Sequence, residues 1–193
     1  MGKRDYLFEI ADRQKGYFTS QQAEKCGFSR SNFHLKIRSG EWLKEKLRGI
    51  YRLGRYPVSD RSELALWTLW SRDKKGAPQG VWSHETALDI HELSDMMPSK
   101  MHLTVPRGFR KQAAIPKILR LHFANLSESD VEVRQGFKVT TPLRTLIDII
   151  DEAIIPQDQV AQAIHEALER GLISRQDLLK TPQLLQYKNE FTL

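Results

Sequence analysis

The chain has 193 residues, 40% of them hydrophobic and 28% charged, with one cysteine and 30 Lys/Arg against 24 Asp/Glu. This is enough apolar material for packed cores, and it excludes a disulfide framework and a cysteine-built structural zinc site. No run approaches the ~20 apolar residues of a membrane span, so a cytoplasmic globular protein with no membrane partner is expected.

The charge is uneven. Residues 1–55 hold 13 Lys/Arg against 6 Asp/Glu, and residues 56–193 hold 17 against 18. A basic front third joined to a near-neutral remainder points to a nucleic-acid-binding module followed by a module with another task. The apolar residues Tyr6, Leu7, Ile10 and Ala11 recur at helical spacing and predict a first amphipathic helix, ended by Gly16. Tyr17 and Phe18 belong to the core of the same small domain. From Thr19 to Arg38 the chain reads as two short helices around a sharp turn, with Ala23 small enough for a close crossing, Gly27 in the left-handed position and Ser29 as a helix cap. Phe33 and Ile37, one turn apart, face inward and leave Arg30, Ser31, Asn32, His34 and Arg38 free to meet phosphates and base edges.

Residues 41–53 then predict two short strands with a turn near Lys46–Gly49, a hairpin in the position of a wing. Its exposed side is expected to carry Lys44, Lys46, Arg48 and Arg52, either against a phosphate backbone or as ordinary solvated charges. Gly54 to Ser59 forms the expected linker, which gives a first domain over 1–55 and a second over 56–193. Ser59 or Asp60 is the expected cap of a well-buried helix containing Leu64, Leu66, Trp67, Leu69 and Trp70, and a Gly/Pro loop runs from Lys74 to Gly80.

In the second domain Ser83 caps a helix over 84–93, and Met101–Val105 predicts a strand ended by Pro106. The basic loop of Arg107, Arg110 and Lys111 follows, read either as an extension of a nucleic-acid footprint or as solvated. A second strand over 118–123 places Leu119, Leu121 and Phe123 on one face and Arg120 and His122 on the other; Val131, Val133, Phe137 and Val139 flank a hairpin turn at Gln135-Gly136. Thr141-Pro142 opens a helix with a cap and a proline at its first position. Pro156 starts another that stops at Gly171, Ser174 caps a short one, and Thr181-Pro182 begins a last helix that ends the chain. The expected class is α+β, with a small mostly antiparallel sheet in the second domain covered by helices.

Catalytic patterns are sparse. Neither a phosphate-cradling glycine loop nor a Gly-x-Ser-x-Gly elbow occurs. His84 and Glu85 begin like a zinc-protease helix, but Leu88 stands where the second ligand belongs, and His91 lies two helical turns away, about 10 Å, too far to share one ion. No metal and no cofactor are therefore expected. Asp148 with Asp151, or Asp151 with Glu152, could hold a divalent ion, although adjacent acids near a helix end are more simply solvated.

Several segments in order resemble one family. A winged helix-turn-helix leads into Arg48-Gly49-Ile50-Tyr51-Arg52-Leu53. Ser83-His84-Glu85-Thr86-Ala87-Leu88 with Ile90-His91-Glu92-Leu93 comes next, followed by His102-Leu103-Thr104-Val105-Pro106 and by Val139-Thr140-Thr141-Pro142-Leu143-Arg144-Thr145-Leu146-Ile147-Asp148. This succession is similar to that of AbiEi-type antitoxins. The resemblance implies a non-enzymatic antitoxin of a toxin–antitoxin system linked to phage defence. Its winged domain binds inverted repeats in the double-stranded promoter DNA of its own operon and represses transcription, while the C-terminal domain counters a co-encoded nucleotidyltransferase-like toxin. Thr141, Arg144, Thr145 and Asp148 match the family's Thr-Pro-x-Arg-Thr-x-x-Asp segment, read here as structural support or as a contact surface. The rival readings are a protein-interaction module without DNA binding and a metal-dependent nuclease built around Asp148 and Asp151.

Overall fold

A computed structural model describes residues 2–95 and 98–188. The chain divides between Gly80 and Val81 into two compact units, with Arg134–Phe137 grouped with the first. The first unit contains α1 (Lys3–Asp12), β1 (Tyr17–Thr19), α2 (Ser20–Lys25), a 3-10 turn over Arg30–Asn32, α3 (Phe33–Arg38), β2 (Trp42–Lys44), β3 (Ile50–Leu53) and α4 (Ser62–Trp70). Its three strands pair antiparallel in the order β1-β3-β2, with Phe18 and Lys44 both in register with Tyr51.

Alternation along the strands explains how this sheet is covered on both sides. Phe18 and Trp42 point into one core with Leu7, Ala11, Ala23, Phe28 and Phe33. Tyr17 and Ile50 point the other way and pack on Ala65 and Leu69 of α4. Tyr17 and Phe18 are thus core residues on a strand that their short run did not announce. The same packing explains why the first unit runs beyond residue 55 to Gly80, since α4 covers the second face of its sheet. Neither Ser59 nor Asp60 caps α4; the chain enters it through Arg61 in the left-handed region, with φ +56° and no side-chain cap.

The second unit begins with β4 (Val81–Trp82), α5 (His84–His91), β5 (Met101–Val105) and β6 (Leu119–Phe123), then a 3-10 turn over Glu128–Asp130, β7 (Val131–Arg134) and β8 (Phe137–Thr140). Four helices follow among the described residues: α6 (Pro142–Asp151), α7 (Gln157–Glu169), α8 (Arg175–Lys180) and α9 (Pro182–Leu185). The expected last helix extends over residues 189–193, which lie outside the described residues. Strand order is β6-β5-β4-β8-β7. The sheet is mixed rather than mostly antiparallel: β4 and β5 pair antiparallel, whereas β5 with β6 and β4 with β8 are parallel. The α+β class is as expected, with helix and sheet regions in both units. The largest core of the second unit gathers Leu88, Leu146, Ile149, Val160, Ile164, Leu178 and Leu184 from its helices.

Local signals place several of these helices. Thr141 accepts the Arg144 amide at 3.3 Å ahead of Pro142, and Ser174 accepts the Asp177 amide at 3.1 Å. Ser83 occupies the cap position of α5 but makes no cap bond; its hydroxyl faces His84 and Thr104 instead. On β6 the apolar stripe is only partly a core face, for Leu119 is buried and Phe123 is exposed, while His122 on the opposite face is buried. Among the described residues no helix is long and apolar enough to cross a membrane.

Trp42 sits at the centre of the first core, with ring centroids 4.9 Å from Phe18, 5.1 Å from Phe28 and 5.0 Å from Phe33. Trp42→Ala is expected to cost about 3–5 kcal/mol in urea unfolding, and Trp42→Phe clearly less, because the smaller cut leaves a smaller cavity. Equal losses for the two variants would remove the ring cluster as the source of stability.

Candidate functional site

The candidate surface is built from the α2–α3 region upward. Thr19 caps α2, accepting the Gln22 amide at 3.2 Å while Gln22 accepts the Thr19 amide at 2.8 Å. Gln22 also pairs with Gln14 at the end of α1 at 2.9 and 3.1 Å, so α2 has a fixed entry angle. Fully buried Ala23 and left-handed Gly27, φ +88°, let the chain turn sharply. The 3-10 turn then runs directly into α3, giving a helical stretch from Arg30 to Arg38. Phe33 is buried and Ile37 half-buried, whereas Arg30, Ser31, Asn32, His34 and Arg38 are exposed. Ser29 does not cap this stretch; its hydroxyl is 2.7 Å from that of Ser31.

The structure brings the start of that stretch and the hairpin together. Arg30, Lys44, Lys46 and Arg48 line one open cleft of about 630 Å³, with Glu45 on the same wall. Arg72, beyond the end of α4, lines it as well. Its guanidinium donates to the Arg48 carbonyl at 2.9 Å and to the Leu69 carbonyl at 2.7 Å, which fixes the hairpin tip. Burial pushes the Arg72 pKa down. No sequence pattern singled Arg72 out, because it lies 24 residues from its partner Arg48. Arg30 is held by Glu24 at 3.1 Å and by the Ser20 hydroxyl at 3.3 Å, so its guanidinium is positioned by α2. Among the described residues Lys44, Lys46, Arg48 and Arg38 form no ion pair. Arg52 differs from expectation: it is half-buried, and donates to the Tyr56 carbonyl at 2.6 Å.

Residues 5–54, which include this whole helical and hairpin region, match the family model described as a transcriptional regulator, AbiEi antitoxin. Over this region the chain is similar to the AbiEi antitoxin family. A search of curated proteins finds no match. Among solved structures, the RV2827C protein of Mycobacterium tuberculosis is similar at 13% sequence identity and TM-score 0.52, covering 96% of this chain and 74% of that one. At that identity the likeness is one of fold. The AbiEi match ends before the second unit, whose Thr-Pro-x-Arg-Thr-x-x-Asp segment is placed by geometry alone.

There Thr141 caps α6, and Thr145, fully buried, places its hydroxyl 2.7 Å from that of Thr140 and donates to the Thr141 carbonyl at 2.9 Å. Arg144 donates to Asp148 at 2.8 Å and lies 3.8 Å from Asp130 in the turn before β7. The four residues thus lock the start of α6 against the neighbouring strand and turn. Burial pushes Asp148 above the usual carboxylate range despite Arg144, and its Oδ2 is buried without a hydrogen-bond partner among the described residues. Burial also opposes the charge on Arg144, but the bond to Asp148 and the fields of Asp148 and Asp130 outweigh it and raise its pKa. Both values rise, which disfavours the charge on Asp148 and favours it on Arg144; depth decides this, since the Asp148 side chain is 9% exposed and that of Arg144 28%. Asp151 does not join this pair; it is exposed and accepts from Gln183 at 3.4 Å. The loop of Arg107, Arg110 and Lys111 is anchored by buried Phe109, whose carbonyl accepts from Arg110 at 3.0 Å.

Arg144→Met strands the Asp148 carboxylate. The expected loss is about 2–3 kcal/mol at pH 7, less than for a fully buried pair because Arg144 is partly exposed. With Asp148 raised further in the folded state, the native variant binds more protons than the unfolded chain above the unfolded carboxylate pKa of ~3.9, so stability falls as pH rises through that window. Stability should therefore recover on acidification toward pH ~4, and Arg144→Met/Asp148→Asn should be restored at pH 7; a pH-independent loss would exclude the pair.

Proposed function

We propose that this protein is an AbiEi-type antitoxin that represses its own operon by binding inverted repeats in double-stranded promoter DNA through a winged helix-turn-helix. Its C-terminal unit counters a co-encoded nucleotidyltransferase-like toxin. The observation that carries the reading is the cleft in which Arg30 meets Lys44, Lys46, Arg48 and Arg72, beside a helical stretch whose outer face is exposed. Buried Phe33 anchors that stretch by its inner side, so Ser31, Asn32, His34 and Arg38 remain available to a major groove. Lys44, Lys46 and Arg48 are suited to phosphates, with counterion release as the driving term. Arg30 is suited to a base edge, its guanidinium preset by Glu24 and Ser20. The same reading makes the chain a regulator rather than an enzyme, with Thr141, Arg144, Thr145 and Asp148 as supports of the second unit.

Titrating salt against promoter binding tests the assignment. Lys46→Ala/Arg48→Ala should flatten the slope of log affinity against log salt by about 2, while Arg30→Ala should cost ~1–3 kcal/mol on promoter DNA and bring it closer to random DNA. An unchanged slope removes the hairpin from the interface, and an unchanged promoter-to-random ratio removes Arg30 from base reading. In cells, Arg30→Ala/Lys46→Ala/Arg48→Ala should derepress the operon yet still protect against the toxin; loss of both would overturn the division of labour between the units.

A further inference from the structure

Three histidines far apart in sequence meet inside the second unit. His84 opens α5, His102 lies on β5 and His122 on β6; they are 3%, 2% and 7% exposed. One ring nitrogen from each falls within 4.8 Å of the others. Parallel pairing puts His122 opposite Thr104, two residues beyond His102, so both imidazoles reach the same side of the sheet, and α5 adds the third.

With His102 and His122 both neutral, the protons of this cluster do not match its contacts. His102 Nε2 is 2.9 Å from the Glu85 carboxylate, which only accepts, so Nε2 carries the proton and Nδ1 a lone pair. His122 Nδ1 is 2.9 Å from Glu152 Oε1, so Nδ1 is protonated and Nε2 bears the lone pair. These two lone-pair nitrogens, His102 Nδ1 and His122 Nε2, face each other at 3.2 Å. With both rings neutral, nothing lies between them to offset their repulsion. A cation does so directly. Zinc–nitrogen bonds of about 2.0–2.1 Å in a tetrahedron set a nitrogen–nitrogen edge of about 3.3–3.4 Å, close to the separation already present.

We propose that His84, His102 and His122 bind one divalent transition-metal ion of the zinc class, with Glu85 and Glu152 fixing the ring tautomers of His102 and His122. The carboxylate behind each of these ligand rings is the outer-shell arrangement that metal-binding histidines use. His84 contacts the Ser83 hydroxyl through Nδ1 at 2.9 Å and Glu152 Oε1 through Nε2 at 3.2 Å. Glu152 only accepts, so by the same rule His84 Nε2 carries the proton and Nδ1 the lone pair, which the ion would take in place of the Ser83 hydroxyl. The farthest ring nitrogens need to draw in by about 1.5 Å, a side-chain adjustment. Burial first, and then the neighbouring imidazoles, hold the pKa of His84 down at about 2 and that of His102 at about 4. Arg120 opposes a cation, but it is half-exposed and lies 3.8 Å from Glu152, while Glu85, Glu152 and nearby Asp148 supply negative charge.

Chelator-treated full-length protein should bind cobalt(II) at one ion per chain with the intense visible bands of a low-symmetry site, and zinc should displace the cobalt and raise the melting midpoint. His102→Gln and His122→Gln should each weaken binding at least 100-fold with the far-ultraviolet dichroism of the wild type. Glu152→Gln should weaken it about 10–100-fold, and His165→Gln, at an exposed position on α7, should bind as the wild type does. No saturable cobalt spectrum together with an unmoved midpoint in zinc overturns the site, and so does wild-type affinity in both histidine variants. Because the wild-type titration decides the matter alone, a variant that fails to fold does not rescue the proposal.

Discussion

The first unit depends on one ring. Trp42 begins β2, and its indole meets Phe18 of β1, Phe33 of α3 and Phe28 of the turn before it, all within about one ring diameter. A six-residue helix such as α3 has no stability of its own in water, because helix nucleation costs more than one or two turns return. Its position is set by burying Phe33 against Trp42. The residue that seats α3 also starts the hairpin, and for that reason the exposed helical face and the cationic hairpin share one frame.

That frame carries net positive charge. Lys44, Lys46 and Arg48 share a cleft with Arg30 and Arg72, and repulsion among them lowers stability. Glu24 and the carbonyls of Arg48 and Leu69 orient Arg30 and Arg72 without neutralising the hairpin tip. Local charge repulsion retained on a well-packed scaffold is what the proposed DNA-binding role requires. The match to the AbiEi family model, residues 5–54, covers Arg30, Lys44, Lys46 and Arg48 of this cleft.

In the second unit α6 joins two arrangements. Asp148 turns to Arg144 at the locked helix start, and Glu152, one turn on, reaches His84 and His122. The start of α6 therefore supports more than its own helix: moving it displaces the carboxylate that sets the His122 tautomer. A segment legible as a structural cap thus also positions a buried histidine cluster.

Much of the first unit was determined by sequence alone. Helical spacing put Phe33 and Ile37 inward and Arg30, His34 and Arg38 outward, and Gly27 marked the turn, because these are local consequences of the backbone period and of side-chain size. Thr141, Arg144 and Asp148 were readable for the same reason, as a cap and a pair one turn apart. Tertiary structure decided what depends on distant residues. It made β1 a strand, because Tyr17 and Phe18 required β3 as a partner, and it drew α4 into the first unit by offering it the free face of that sheet. It aligned β5 and β6 in parallel across a long connection, a choice that residue patterns along one strand do not encode. The histidines show the difference best. Spacing along one helix correctly separates His84 from His91, whose Nε2 donates to the Thr140 carbonyl at 2.7 Å, but it is blind to His102 and His122, which reach His84 only once two parallel strands and a helix have packed.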